Sequence, residues 1–347
     1  MKTASIIGMG WVTPLGRDLT SVWTALKEGK KPEPMLLQSP IGGRSVPILR
    51  VPEGVVRDAA SFPRLRRSST ISHLAVAATL DAVAAARLTP EALKRTALVF
   101  TASDGGVVYT RKFYAEIVER GEGAGSPLLF PETVYNAPAS HIAARLGLEG
   151  EVLTLVGDAA AGLSAIQAGC ELLCAGEADF CVIAAAQELD WITCEAYGRW
   201  GLIRDNENHA ALFAEGGAAI VLARAPADCW VSAMHPGFSY KTEQDAQARL
   251  KTLLAQLLHG SKVDVLVSSA SGTWLDLAKE CLSRQRANSM VTPRSTLGES
   301  LACSTLQQVI CGVLALGDVQ GGTALILAAG YNRQLAGMVL TRKRDDS

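Results

Sequence analysis

Short apolar runs alternate with longer helical runs along this chain of 347 residues, and this alternation limits the possible folds more than any other feature. The short runs are rich in Val, Ile, Leu and Ala, whereas the longer runs carry apolar residues at helical spacing. In the first part of the chain we predict strands over residues 4–9, 96–101, 152–156, 180–186 and 218–223. The helices predicted between these strands cover residues 19–29, 69–87, 110–119, 139–146 and 162–175.

The same alternation begins again after about residue 226. In this second part we predict strands over residues 230–234, 263–268, 324–328 and 337–340, and helices over residues 243–258, 275–286 and 297–316. Strands that are apolar throughout indicate sheets that helices cover on both faces. No low-complexity linker separates the two series, so we predict an α/β protein with two fused halves, residues 1–225 and 226–347, around a shared core.

The charges and the cysteines exclude several classes of function. The 33 basic residues nearly balance the 34 acidic ones, so the composition predicts neither a nucleic acid partner nor binding to an anionic membrane. No uncharged apolar run reaches the length of a membrane span, and the first residues predict a strand rather than a signal peptide. None of the eight cysteines forms a CxxC pair, so we expect reduced thiols in a cytoplasmic protein, with no metal and no cofactor.

Several motifs resemble those of the β-ketoacyl synthases, and together they cover most of the chain. The segments that carry the resemblance are GMGWVTPLG at 8–16, FPETVYNAPASHIAARLGLEG at 130–150, LTLVGDAAAGLSAI at 153–166, GEADFCVIAAAQE at 176–188, AEGGAAIVL at 214–222 and TLGESLACSTLQQVICGVLAL at 296–316. The resemblance implies the thiolase-like fold, in which two similar βαβ-type halves pack in five layers (αβαβα). It also implies a dimer.

In that family the chemistry requires a cysteine and two histidines. The cysteine lies where a strand turns into a helix, and it accepts the acyl chain as a thioester. The histidines stabilise the enolate that forms when the malonyl group loses carbon dioxide. In this sequence the resemblance places Ala159 at the cysteine position, Ser271 at the first histidine and Glu299 at the second. We therefore predict no catalytic residue in this chain.

Two neighbouring motifs also differ from the family pattern. The former nucleophile turn covers residues 157–162, including Asp158 and Gly162, and the family's glycine-rich gate aligns with residues 330–335, which begin with Gly330 and Tyr331. Asp158 could itself be imagined as a nucleophile, but the sequence offers it no partner acid, so we predict that it caps the following helix.

The missing triad leaves three hypotheses for the function. The first is a chain length factor, which pairs with an active β-ketoacyl synthase, shapes the acyl tunnel and meets the acyl carrier protein. The second is an enzyme with an altered site for acyl transfer or malonyl decarboxylation, and both replaced histidines disfavour it. The third is a homodimeric protein that binds acyl chains or carrier protein. As tunnel or interface residues we predict Phe113, Tyr114, Phe130, Val134 and Tyr135, for each of which ordinary packing is the alternative.

Overall fold

The computed structural model describes residues 4–40, 42, 45–200, 212–270 and 283–344. Its strands are β1 (Ser5–Val12), β2 (Met35–Leu37), β3 (Val46–Leu49), β4 (Thr96–Ala102), β5 (Val152–Val156), β6 (Phe180–Gln187), β7 (Phe213–Ala214), β8 (Gly216–Ala223), β9 (Cys229–Ser239), β10 (Val263–Val267), β11 (Ala287–Val291), β12 (Gly322–Ala329) and β13 (Gln334–Arg342). Its helices are α1 (Leu19–Lys27), α2 (Arg57–Ala60), α3 (Thr70–Ala85), α4 (Pro90–Lys94), α5 (Val107–Arg120), α6 (Ala137–Leu146), α7 (Ala159–Ala175), α8 (Trp191–Arg199), α9 (Glu243–Leu258), α10 (Arg294–Leu297) and α11 (Ala302–Asp318).

Ten of these strands form one sheet with an internal repeat. The strand order is β5-β4-β6-β8-β1 on one side and β11-β10-β12-β13-β9 on the other. In each set the three outer strands run parallel and the last two pair antiparallel. The two sets meet through a single pair, Ser5 of β1 and Trp230 of β9. The division into domains at residue 225 stays a prediction, but the topology repeats as the sequence pattern repeats.

The two strand sets and the helices on their faces form five layers. Helices α7 and α11 pack against each other in the centre, and each of them contacts strands of both sets. Helix α3, with α6 beside it, covers the outer face of the first set, and α9 covers the outer face of the second. Strands β4 and β8 are buried over their whole length, as expected for strands between two helical layers. The fold is therefore thiolase-like, as predicted.

One difference between the structure and the predicted elements lies at the start of α11. The predicted helix over 297–316 is wrong at its start, because α10 ends at Leu297 and α11 begins only at Ala302. Gly298 leaves the helix with φ +83°, and Glu299 then pairs through its backbone with Leu212 and Ala214 beside strand β7. Tertiary pairing here overrides helical propensity. Most of the predicted helix over 275–286 lies outside the described residues.

No helix within the described ranges combines the length and the apolar character that a bilayer crossing requires.

Candidate functional site

The candidate site begins at the turn between β5 and α7. Strand β5 ends at Val156 and α7 begins at Ala159, so only Gly157 and Asp158 form the turn. Ala159 is fully buried, with 0% of its surface exposed, and its carbonyl oxygen accepts a hydrogen bond from Thr305 Oγ1 at 2.7 Å. The first position of the helix, where free backbone N–H groups favour negative charge, therefore carries only a methyl group.

Asp158 connects this turn with the loop at residues 330–334. The Ala159 N–H donates to its Oδ1 at 2.7 Å, and the Asn332 N–H donates to its Oδ2 at 3.1 Å. Asp158 is the N-cap residue of α7, as predicted. Gly330 lies against the same carboxylate, because a Cβ atom on it would be 2.4 Å from Oδ2. The structure thus brings together the turn and the gate segment, which lie far apart in the sequence.

Tyr331 of the gate segment packs into an aromatic cluster beside this contact. Its ring lies 5.8 Å from Tyr197 and 6.1 Å from Phe213, measured between ring centroids, and Tyr197 in turn lies 5.0 Å from Phe213. These rings cover a small buried group that includes Leu301, the residue before α11. The gate segment is therefore held both by a carboxylate and by aromatic packing.

Glu299 lies between α10 and α11 and is 1% exposed. Its Oε2 accepts a hydrogen bond from Arg294 Nη1 at 2.6 Å, while its Oε1 accepts from the Leu301 N–H at 2.7 Å and from Ser304 Oγ at 2.9 Å. Arg294 is equally buried and donates further to Gln308 at 3.2 Å. Burial raises the pKa of Glu299; Arg294 opposes this rise, and Asp158 adds to it.

Ser103 and Asp104 follow directly after β4 and complete the site. Ser103 Oγ donates to the Gly157 carbonyl at 2.7 Å and accepts from the Ala302 N–H at 3.1 Å, so it joins the starts of α7 and α11. Asp104 accepts a hydrogen bond from Gln187 Nε2 at 2.9 Å. Burial raises the pKa of Asp104 to about 6, with Asp158 contributing to the rise.

The surroundings of the α7 start are therefore rich in carboxylates. Asp104, Asp158 and Glu299 are coupled electrostatically through Asp158, and Arg294 is the cation in contact with one of them. Burial raises the pKa of Tyr197, and the same three carboxylates add to that rise. Such a place disfavours a further negative charge. The described residues contain no group of three or more His, Cys, Asp or Glu arranged to hold a metal ion.

The sequence motifs identified Asp158, Ala159, Glu299 and Gly330 but not the residues that contact them. Ligands of open α/β sheets bind beyond the carboxyl ends of parallel strands, and this general rule could have identified two further residues of the site. Asp104 and Gln187 stand at those ends of β4 and β6. Gly162 lies one turn into α7 against α11, since a Cβ atom on it would be 2.8 Å from that of Thr305. Ser271 lies outside the described residues.

The predicted interface residues lie on α5 and on the segment after it. The ring of Phe113 lies 5.6 Å from that of Tyr114 and 5.7 Å from that of Phe130. Tyr114 is 59% exposed and Phe130 is 55% exposed, while Val134 and Tyr135 are also exposed and Phe113 is half-buried. The structure therefore brings Phe113 into contact with Tyr114 and with Phe130 at the surface.

A buried carboxylate anchors α5 behind this surface. Glu188, at the end of β6, accepts hydrogen bonds from Ser69 Oγ at 2.5 Å, the Ile71 N–H at 2.9 Å and the Val108 N–H at 2.8 Å. It thus caps the starts of both α3 and α5. Burial raises the pKa of Glu188.

Comparison with known proteins agrees with this arrangement. A sequence model described as "Beta-ketoacyl synthase, N-terminal domain" matches residues 58–227, a stretch that includes the β5–α7 turn and Glu188. The chain belongs to the β-ketoacyl synthase family. The family resemblance drawn from the motifs is thereby confirmed.

Within this family, one curated relative is the 3-oxoacyl-[acyl-carrier-protein] synthase 2 of Vibrio harveyi. It is 23% identical over 190 residues, which amount to 53% of this chain and 45% of the relative. The match therefore spans less than half of the length of that synthase.

Solved structures share the fold over nearly the whole chain. A structure of the ishigamide ketosynthase/chain length factor superposes with a TM-score of 0.83 at 18% identity, covering 98% of this chain and 99% of that one. The complex AntDE:AntF, described as a type II PKS acyl-carrier protein with its ketosynthase bound to the hexaketide, gives 0.81 at 15% identity and covers 99% of this chain and 100% of that chain. A β-ketoacyl synthase from Burkholderia phymatum STM815 gives 0.82 at 16% identity, with coverage of 99% and 100%. At such identities these likenesses establish the fold.

Proposed function

We propose that this chain is a ketosynthase-like subunit without catalysis of its own, which pairs with an active β-ketoacyl synthase as a chain length factor does. The observation that carries the proposal is the buried methyl group of Ala159 at the first position of α7. The family resemblance places the acyl-accepting cysteine at this position. Without a nucleophile there, no acyl group can be transferred to this chain.

The charge around Ala159 supports the same proposal. Condensation and decarboxylation both pass through an enolate, which needs hydrogen-bond donors or positive charge nearby. Here the neighbours are Asp158, Glu299 and Asp104. Two like charges about 4 Å apart repel by about 4 kcal/mol at an effective dielectric constant of 20. Arg294, the nearby cation, is already bonded to Glu299.

Exposed apolar features supply the surface for a partner. Strand β5 is the last strand at its end of the ten-stranded sheet, and its Val156 is 53% exposed. An exposed sheet edge with apolar side chains is a ready place for another chain to pair. We assign the aromatic surface of Phe113, Tyr114, Phe130, Val134 and Tyr135 to the same interface, where these side chains wall the acyl tunnel and so limit the length of the product.

An arginine-rich segment fits a carrier protein as a further partner. Arg57, Arg64, Arg66 and Arg67 are all exposed on α2 and the turn that follows it. A carrier protein presents its acyl chain on an arm that contains an anionic phosphate, and guanidinium groups bind phosphate well. One structural neighbour is itself a ketosynthase in complex with its acyl-carrier protein. We place the assembly in polyketide, aryl polyene or fatty acid-like biosynthesis.

The experiment that tests the proposal is co-expression with an active synthase, ideally the one encoded beside this chain. We expect the two chains to co-purify in equal amounts and the complex to elongate acyl chains. We expect the isolated chain to release no carbon dioxide from malonyl-acyl carrier protein. Decarboxylation by the isolated chain contradicts the proposal, as does a stable homodimer that ignores every such synthase. Six cysteines in the described part are buried free thiols, which fits a reducing compartment, so we propose that the pair works in the cytoplasm.

A further inference from the structure

The Asp158 carboxylate joins two segments that are 174 residues apart in the sequence. One oxygen accepts the Ala159 N–H at the start of α7, and the other accepts the Asn332 N–H of the gate loop. Both oxygens of the side chain are therefore engaged by backbone donors. A carboxylate that accepts two N–H groups at a helix start is bound more strongly than a neutral acceptor would be.

The gate loop has a shape that receives this carboxylate. A side chain at Gly330 would place its Cβ atom 2.4 Å from Asp158 Oδ2 and 2.6 Å from its Cγ, so the contact requires glycine. The loop closes on itself, because the Gly330 N–H donates to the Gln334 carbonyl at 3.2 Å. Its far side is fixed to the end of β9, since the Tyr240 N–H donates to the Arg333 carbonyl at 3.0 Å.

The same carboxylate occupies the helix start that an acyl group would need. The Ala159 N–H is used by Asp158, so it is not free to receive a thioester oxygen. Asp158 also interacts electrostatically with Asp104 and Glu299. Because three acidic groups surround this place, it is unfavourable for a malonyl or fatty carboxylate. Tyr331 of the same loop packs against Tyr197 on the neighbouring helix α8.

We infer that Asp158 is an internal latch at the start of α7, which holds the loop at 330–334 against this helix start and excludes acyl thioesters and carboxylates from it. The latch itself is a property of the isolated chain. Its consequence, that acyl chains of the assembly stay in the pocket of the partner, rests on the proposed function.

Hydrogen exchange on the full chain tests the latch directly. We expect backbone amides at 331–334 to exchange at least tenfold faster in Asp158→Ala and in Gly330→Ala, which disrupt the same contact from opposite sides. Asp18→Ala is the matched control, because Asp18 caps α1 by accepting the Ser21 N–H at 2.7 Å and has no contact with this loop. Unchanged exchange in Asp158→Ala, or an equal change in Asp18→Ala, overturns the latch.

A thiol reporter tests whether the start of α7 is closed to ligands. In Ala159→Cys we expect slow alkylation of the new thiol, measured at that site by mass spectrometry, and at least tenfold faster alkylation by iodoacetamide after Asp158→Ala is added. Adding Asp158→Asn instead keeps the size of the side chain, so it should accelerate the anionic reagent iodoacetate more than the neutral iodoacetamide. Rapid alkylation in Ala159→Cys alone contradicts the closure. Neither experiment contains a synthase, so failure of the latch and failure of the pairing are distinguishable.

Discussion

The carboxylates near the start of α7 differ in what compensates their charge. Glu299 has Arg294 and two further donors, and Asp158 has two backbone N–H groups. Within the described residues Asp104 accepts one hydrogen bond, from the amide of Gln187, and burial raises its pKa to about 6. Asp104 therefore has the fewest compensating donors of the three, and the folded state favours its protonated form.

The first prediction concerns the pH dependence that Asp104 contributes. Because its pKa is higher in the folded than in the unfolded chain, its contribution to stability is full below about pH 4 and is lost as pH rises through about 6. The shift corresponds to about 3 kcal/mol at most. Asp104→Asn should therefore gain stability relative to the unmodified chain between pH 4 and 7 in urea unfolding.

The control for this prediction is Asp58, whose hydrogen bond with Arg17 holds its pKa below the ordinary value despite some burial. Asp58→Asn should change in the opposite direction, losing stability relative to the unmodified chain as pH rises from acid. A parallel change in both variants contradicts the assignment to Asp104.

The second prediction concerns the buried pair of Arg294 and Glu299. Arg294→Met leaves the Glu299 carboxylate buried without its cation, which should lower the free energy of unfolding by about 3–5 kcal/mol. Adding Glu299→Gln removes the isolated charge, so the double variant should recover most of the loss. Denaturant unfolding of the two single variants and the double variant measures this coupling. Simple addition of the two single effects would show that the pair is not coupled.

At the scale of elements, the close contact of α7 and α11 gives the central layer its geometry. Gly162 lies where a Cβ atom would be 2.8 Å from Thr305 Cβ and 3.1 Å from the Ala302 carbonyl oxygen. Ser103 joins the starts of the same two helices. The helix that carries Ala159 and the helix that follows Glu299 are therefore packed as one unit, so a change in one should displace the other.

The third prediction compares two helical glycines. Gly162→Ala should lower the free energy of unfolding by about 1–3 kcal/mol, because the added methyl group meets α11. Gly198→Ala in α8 places its new Cβ more than 4 Å from every described atom outside its own helix, so it should raise the free energy of unfolding by up to about 1 kcal/mol. Thermal or denaturant unfolding checks both. Equal effects in the two variants contradict the proposed contact.

The sequence predicted most elements well where the pattern was strong and local. Strands β4, β5 and β6 and helix α9 were found almost to the residue, because each is a continuous apolar or periodic run. Strand β11 was missed, since Ala287–Val291 carries Asn and Ser at the edge of the sheet. Helix α8 was also missed, although Asp190 caps its start.

The site was predictable only at positions that lie within or beside a sequence motif. The resemblance pointed to Ala159, Glu299 and Gly330, because their positions are fixed by neighbouring motif residues. Arg294 and the contact of Asp158 with Asn332 were not foreseen. Both depend on how distant segments meet in the fold, and a local sequence pattern does not contain that information.

At the scale of the whole molecule, the repeated topology leaves two outer edges of different kinds. Edge strand β11 has intermediate or exposed residues and a polar sequence, whereas edge strand β5 carries Val152, Leu153, Leu155 and Val156. Apolar side chains on an edge are unusual without a partner. The asymmetry of an otherwise repeated sheet therefore favours β5 as the place where the proposed partner synthase would pair.

The fourth prediction tests this edge. Val156→Lys places a charge on the exposed edge of β5, so it should reduce recovery of the co-expressed synthase at least tenfold while leaving the unfolding of the isolated chain nearly unchanged. Val319→Lys is the control, because Val319 at the end of α11 is 49% exposed, close to the value for Val156. If both variants retain the synthase equally, the partner pairs elsewhere.

The apolar edge of β5 also has a consequence for the cell that makes this chain. Such an edge can serve as a template on which other extended chains add, including further copies of the same protein. Molecules produced in excess over whatever covers the edge would burden chaperones and proteases. We therefore expect selection to balance the dosage of this chain against that of its companion, for example by translating both from one messenger RNA.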